Sequence, residues 1–127
     1  MKTDRLSQNP LALVVEDHPD NAILFAAALN SAGFETEIAR DGYRALQRLD
    51  LIVPALVLLD LELPRVSGDK ILHHIRADKR LAQVKVILAT ASDHLVGPLA
   101  QECDLVLLKP VSFSQLSELA ARLCNLS

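Results

Sequence analysis

The chain has 127 residues, half of them apolar, and a net charge of −3. That length holds one domain around a single core, and a balanced charge without long runs of one sign leaves no nucleic-acid footprint. No apolar stretch approaches the roughly 20 residues of a membrane span, and Met1 to Pro10 is polar without an apolar signal core, so a soluble, cytoplasmic domain is expected.

Leu11–Val15 is a continuous apolar run that stops at Glu16 and Asp17. Such runs suit strands buried on both faces, as in a parallel sheet covered by helices. Asp20 is placed to cap a helix from Asn21 to about Ala32, with Gly33 where a left-handed C-terminal residue is wanted. This helix carries no charge; Leu24, Phe25, Ala28 and Ala32 are set to face the sheet, leaving Ile23, Ala26 and Ala27 outward. An apolar outward face of this kind marks a partner site.

Glu35–Ala39 reads as a short second strand, and Asp41 caps a helix to about Leu49. Pro54 precedes a third strand, Leu56–Leu59, which runs into Asp60. Pro64 to Gly68 is a loop, followed by a helix with Ile71, Leu72 and Ile75 inward. Arg76, Lys79, Arg80 and Lys85 cluster near its end and read as a solvated loop. A fourth strand, Val86–Ala89, meets Thr90, and a fifth, Leu105–Leu108, meets Lys109. Between them Ser92–Asp104 is broken by Gly97-Pro98; proline inside a helix costs about 3 kcal/mol, so a full helix is not expected there. Ser112 with Gln115 forms a capping box for a last helix with Leu116, Leu119, Ala120 and Leu123 inward.

The alternation predicts an α/β domain: a five-stranded parallel sheet with helices on both faces and a shortened or missing fourth helix. The domain spans 1–127, with an ordered core over about 10–126 and a flexible segment over 1–9. With only Phe25, Phe34, Tyr43 and Phe113 as aromatics, the core is aliphatic. Cys103 and Cys124 fit no metal spacing and no CxxC motif, and are read as free thiols.

The strand ends bring three carboxylates, a hydroxyl and an ammonium to one edge of the sheet, where ligands bind in open α/β sheets. Glu16, Asp17 and Asp60 repel one another unless a cation neutralises them. Ligands that are all oxygen point to Mg²⁺, and the backbone carbonyl of Glu62 is placed to add a fourth. Lys109, held before Pro110, can pair with a carboxylate at rest and with a phosphoryl oxygen after transfer. The X-Pro bond there is a plausible cis peptide. His18 reads as a loop residue beside the site, His73 and His74 as exposed or edge residues, and His94 as part of the shortened segment.

The stretches VVEDHPDN, LVLLDLELPRVSG, VILATAS and LLKP, in this order and spacing, resemble the receiver domains of two-component response regulators over roughly Leu11 to Leu126. The resemblance implies a flavodoxin-like fold with strand order 2-1-3-4-5. It implies that Asp60 accepts a phosphoryl group from a phosphohistidine on a sensor histidine kinase or phosphotransfer protein, with Mg²⁺ held by Glu16, Asp17, Asp60 and the Glu62 carbonyl. Thr90 matches the family's switch hydroxyl and Lys109 its phosphate-contacting lysine. Glu62 and Ser92 lie where the family tunes acyl-phosphate lifetime, and the first helix, with Ile23, Ala26 and Ala27, lies where it docks the kinase.

Two features depart from the pattern. Val106 stands where many receivers carry an aromatic residue that reports phosphorylation, and Thr90 and Lys109 are only 19 residues apart, shorter than the usual spacing. Output through a non-standard surface is therefore one expectation, an unchanged output with a tighter loop the other. A small aspartyl-phosphate hydrolase stays as an alternative, although Asp60-Leu61-Glu62-Leu63-Pro64 keeps only part of such an enzyme's motif. A phosphorylation-independent interaction domain is another. No direct DNA binding is expected. The kinase, the downstream target, and whether the chain acts alone or within a larger regulator or hybrid kinase stay open.

Overall fold

The four apolar runs and the short segment Glu35–Ala39 each form a strand in the computed structural model, which describes residues 9–126. The strands are β1 (Leu11–Val15), β2 (Glu35–Ala39), β3 (Leu56–Asp60), β4 (Lys85–Thr90) and β5 (Leu105–Leu108). They pair in parallel throughout, in the order β2-β1-β3-β4-β5. Four α-helices connect and cover them: α1 (Pro19–Ser31), α2 (Gly42–Leu49), α3 (Gly68–Ala77) and α4 (Phe113–Leu123). The expectation of a flexible segment over 1–9 falls, except for Asn9, outside the described residues. No helix among those described is long and apolar enough to cross a membrane.

Period-2 alternation sends successive strand residues to opposite faces, and both faces are covered. Leu13, Val15, Val57, Leu59, Val86 and Leu88 pack with Ala45, Leu49, Ile71, Leu72 and Ile75 of α2 and α3. Ala12, Val14, Leu56, Leu58, Ile87 and Ala89 pack with Phe25, Ala28, Leu29, Leu116 and Ala120 of α1 and α4. Phe25 and Phe34 are the only aromatic rings in these layers.

Two helix starts follow the expected chemistry. Asp41 accepts the Arg44 N–H at 2.8 Å, and Ser112 accepts the Gln115 N–H at 3.0 Å. The start of α1 does not: the helix opens at Pro19 with His18 as its N-cap, and Asp20 lies in the first turn. Proline's fixed φ suits the first helical position, so the helix gains a residue ahead of the carboxylate. Gly33 then takes φ +109° at its other end, in the region glycine adopts readily.

The packed face of α1 also differs from the expected one. Ala22, Phe25, Ala26 and Leu29 form its buried stripe, so Ala26 belongs to the core side and is corrected from outward to inward. Leu24, expected inward, is exposed beside Ile23 and Ala27. A spacing of i, i+3, i+4, i+7 makes the stripe, and only Phe25 and Ala28 of the expected inner set lie at its centre.

Between β4 and β5 there is no α-helix. Two 3₁₀ turns, Asp93–Leu95 and Gly97–Gln101, replace it, in keeping with the expected shortened or missing fourth helix. Pro98 begins the second, where its missing N–H costs no helix bond. Val96 and Leu99 are buried against the α3 face of the core, and Val106 packs partly buried against the same layer.

Candidate functional site

The carboxyl ends of β1, β3 and β4 bring together the residues expected there. Oxygen atoms from the Glu16, Asp17 and Asp60 carboxylates all lie within 4.8 Å of one another. Glu16 and Asp60 are almost wholly buried, at 1% and 3% exposure, while Asp17 is exposed at the mouth. Parallel register makes this possible: β1 and β3 are adjacent, with Val15 opposite Leu59, so both strands end at one level.

Each carboxylate is aimed by its own backbone surroundings. Glu16 Oε2 accepts the His18 N–H at 3.1 Å, and Asp60 Oδ1 accepts the Glu62 N–H at 2.9 Å. Sequence reasoning placed His18 beside the site but did not foresee that its backbone would hold Glu16. Such local two-residue bonds leave no residue-type signal.

Lys109 enters from the end of β5. Its Nζ donates to Asp60 Oδ1 at 3.1 Å and stands 3.7 Å from both Glu16 Oε1 and Glu62 Oε1. The Lys109–Pro110 peptide bond is cis. Burial pulls the ammonium's pKa down, but the hydrogen bond and charge of Asp60, with Glu16 and Glu62 behind, outweigh it and hold Lys109 above its ordinary value. The lysine therefore stays charged, balancing part of the acidic cluster.

It does not balance all of it. Burial, followed by the charges of Asp60 and Asp17, pushes Glu16 up to about 6 from 4.5, against the opposing His18 bond and Lys109. Glu16 Oε1 is buried with no hydrogen-bond partner. A buried carboxylate oxygen left unpaired is costly, and a cation among these three carboxylates would relieve that cost. The donor set, all oxygen, suits a hard divalent ion such as Mg²⁺.

Thr90 ends β4 fully buried, with Asp60 opposite Ala89 in the neighbouring strand. Its Oγ1 lies 3.3 Å from Glu62 Oε2 and 3.2 Å from the Ser92 carbonyl, and accepts the Ser92 N–H at 3.1 Å. The Ala91 N–H donates to both Glu62 oxygens at 3.1 Å. Glu62 thus reaches across the site with its side chain, a placement no spacing rule foresees. Gly68, the first residue of α3, lies close beneath: a Cβ there would come within 2.6 Å of the Asp60 carbonyl oxygen.

His73 and His74 lie on α3 away from this edge; His73 is exposed and pairs with Glu102 at 2.9 Å, and His74 is half-buried. His94 is exposed in the first 3₁₀ turn. The basic cluster is solvent-exposed at Lys79 and Arg80, as expected, but it is also tied down: Arg76 and Arg80 donate to backbone carbonyls of Glu102, Val84, Ile52 and Leu49. Cys103 and Cys124 are free thiols, and burial pushes both up, so they stay protonated.

A doubly wound, flavodoxin-like sheet with an acidic cluster and one lysine at its carboxyl edge belongs to the class of open α/β domains that bind ligands at the carboxyl ends of their strands. Within that class the chain belongs to the response regulator receiver domain family, whose model matches residues 12–121. The "Probable methanogenesis regulatory protein FilR2" of Methanothrix harundinacea is 36% identical over 117 residues, covering 84% of this chain and 76% of that protein. A sensor histidine kinase of Ectopseudomonas mendocina is 32% identical over 94% of this chain, which spans only 12% of the kinase's length. Among solved structures, a Thermotoga maritima response regulator in complex with Mg²⁺ and BeF is similar with a TM-score of 0.80 and 32% identity, over 90% of this chain and 98% of that one.

Proposed function

We propose that this domain accepts a phosphoryl group on Asp60 from a phosphohistidine and serves as a phosphorylation-controlled switch in the cytoplasm. The observation that carries the reading is the Lys109 ammonium 3.1 Å from Asp60 Oδ1, beside two further carboxylates within 4.8 Å. A carboxylate so placed is a nucleophile aimed out of a strand end, and a fixed cation beside it stabilises charge on a transferring phosphoryl group.

In this reading an Asp60 oxygen attacks phosphorus, the bond from phosphorus to the donor imidazole breaks, and the imidazole keeps the electron pair. Lys109 pairs with an oxygen of the transferred group. The Thr90 hydroxyl and the Ala91 N–H are donors within reach of that group's other oxygens. Glu16, Asp17, Asp60 and the Glu62 carbonyl would hold Mg²⁺, which when bound neutralises charge and orients the reacting oxygens. The added charge at a buried strand end then biases the loops around Thr90 and Ser92.

The donor is a sensor histidine kinase or a histidine phosphotransfer protein, and it docks on the apolar outward face of α1 at Ile23, Leu24 and Ala27. Ser92 is a candidate for tuning the lifetime of the product. The domain is a signalling phosphoacceptor and not an enzyme with a separate substrate.

The test is incubation with Mg²⁺ and acetyl phosphate, followed by intact-mass measurement. A labile adduct of one phosphoryl group that vanishes in Asp60→Asn is expected. Turnover of other phosphate esters points instead to a hydrolase, and the absence of any adduct to an interaction domain that works without phosphorylation.

A further inference from the structure

Three donors from the ends of β4 and β5 lie around the Glu62 carboxylate, and two of them reach it at hydrogen-bond distance. The Ala91 N–H lies 3.1 Å from both oxygens of the Glu62 carboxylate, Thr90 Oγ1 lies 3.3 Å from Oε2, and Lys109 Nζ lies 3.7 Å from Oε1. Lys109 meanwhile holds Asp60 Oδ1 at 3.1 Å, and Asp60 pairs with Ala89 in the adjacent strand, so Thr90 and Ala91 follow at the same strand end as Asp60. A phosphoryl group on Asp60 would bring three strong acceptor oxygens and a charge of about −1.5 to −2 to that strand end. It would need the donors that Glu62 already uses.

Resting on the phosphoacceptor reading above, we propose that the Glu62 carboxylate is an internal competitor for the phosphoryl site. It occupies the donors of the unphosphorylated domain and must swing out when the phosphoryl group arrives. The side chain is suited to both places. It begins two residues after Asp60, its backbone N–H is fixed to Asp60 Oδ1 at 2.9 Å, and the side chain as a whole is 32% exposed. The backbone therefore stays put while a single flexible side chain moves between donors and solvent.

Two consequences follow from electrostatics. At rest, Glu62 satisfies the Ala91 N–H and gives Lys109 a further counter-charge, which closes the site without a ligand. After transfer, two anions cannot share the same donors at hydrogen-bond distance, so Glu62 is displaced toward the mouth. Any conformation-selective ligand then binds with an apparent affinity reduced by the fraction of chains in which Glu62 is out. The competition sets how easily the site is filled, separately from the chemistry of attack.

The experiment uses beryllofluoride, a non-transferable phosphoryl mimic, on the full chain with saturating Mg²⁺. Wild type, Glu62→Ala, Glu62→Gln and Asp60→Asn are titrated, with the Ala91 amide followed by ¹H–¹⁵N NMR. Its hydrogen exchange is measured separately without Mg²⁺ or beryllofluoride. Glu62→Ala is expected to lower the midpoint about tenfold. Glu62→Gln falls between, because a neutral acceptor bonds about half as strongly as a charged one, and Ala91 exchanges faster in both. An unchanged or higher midpoint in Glu62→Ala, with Asp60→Asn silent, overturns the competition alone. No adduct in any chain overturns the phosphoacceptor reading, and the competition with it.

Discussion

The carboxyl ends of the strands and the crossover from Ala91 to Asp104 are neighbours at one edge of the sheet, and they are held in opposite ways. At the strand ends Glu16, Asp60 and Thr90 are 3% exposed or less, and backbone N–H groups fix both buried carboxylates. In the crossover, two short 3₁₀ turns have no side-chain caps, and only Val96 and Leu99 are buried. A cleft of about 420 Å³ opens between these turns and α3, lined by Leu61, His73, Leu95 and Leu99 among others. The difference is physical. Reacting groups work only when their geometry is fixed in advance, whereas a segment that must change with a signal belongs at the low end of local stability. In the proposed switch these requirements fall to separate segments, with Thr90 to Ser92 as the seam between them.

The sharpest way to break this contrast is at Gly68. An alanine Cβ there would sit 2.6 Å from the Asp60 carbonyl oxygen and 2.8 Å from Leu61 Cα, both backbone atoms in the tightly held region. Gly68→Ala is expected to cost about 3 kcal/mol, read from urea unfolding, because α3 or the end of β3 must shift. A loss below about 1 kcal/mol would mean the strand ends are as yielding as the crossover.

Glu16 provides a second test, through pH. Its raised value, about 6 against 4.5, means the folded state holds this proton more tightly than the unfolded chain does. Its contribution to stability is therefore intact below about pH 4.5 and falls as pH rises through 6. The loss is about 2 kcal/mol for a shift of this size. Without Mg²⁺, the stability of Glu16→Gln relative to wild type should thus improve by about that amount between pH 4 and pH 7.5. Added Mg²⁺ should raise the melting temperature of wild type more at pH 7.5 than at pH 5. A pH-independent difference would show that Glu16 is not the strained member of the cluster.

The same contrast explains what was legible in the sequence. Strands buried on both faces must be continuous apolar runs, so the ends of β1, β3 and β4 at Glu16, Asp60 and Thr90 stand out without any structure, and the half-buried edge strand β5 is apolar enough to mark Lys109 as well. Gly97-Pro98 likewise excludes a full helix by local chemistry alone. What escaped depends on direction rather than residue type. The face of α1 turned on which of two adjoining apolar stripes of a helix uncharged from Asn21 onward meets the sheet, and the stripe through Ala22, Phe25, Ala26 and Leu29 does, which leaves Leu24 outward. Arg76 and Arg80 looked like surface charge because their carbonyl partners, such as Val84, Leu49 and Ile52, advertise nothing in a sequence. Glu62 was visible as a residue two positions after Asp60, but its reach to Thr90 and Ala91 was not.

Arg76 tests the contrast from the other side, since it ties the far end of the crossover to the body of the domain. Its Nε donates to the Glu102 carbonyl at 2.6 Å, Nη1 to the Val84 carbonyl at 2.8 Å, and Nη2 to Asp104 Oδ2 at 3.0 Å. Asp104 Oδ2 in turn accepts the Val86 N–H at 2.8 Å. Arg76→Ala should cost about 2 kcal/mol, since bonds from a charged donor contribute more than neutral ones. Hydrogen exchange should speed up over residues 91–104 while the amides of β1 and β3 stay protected. Equal acceleration at the strand ends would show that the regions unfold together.

The smallest effect is the most discriminating, because it sets the same substitution against Gly68→Ala. A Cβ at Gly97 meets nothing within 4 Å, so Gly97→Ala adds no clash. It removes backbone freedom from the unfolded chain, which at a compatible site stabilises a protein by about 0.4–1 kcal/mol. Gly97→Ala is therefore expected to raise stability slightly in urea unfolding and to leave phosphorylation by acetyl phosphate unchanged. A single methyl group would then stabilise one region and disrupt the other, at two glycines 29 residues apart in sequence. If Gly97→Ala were instead destabilising, the crossover would be tightly fitted after all, and the separation of a rigid input from a yielding exit would fail at its softest point.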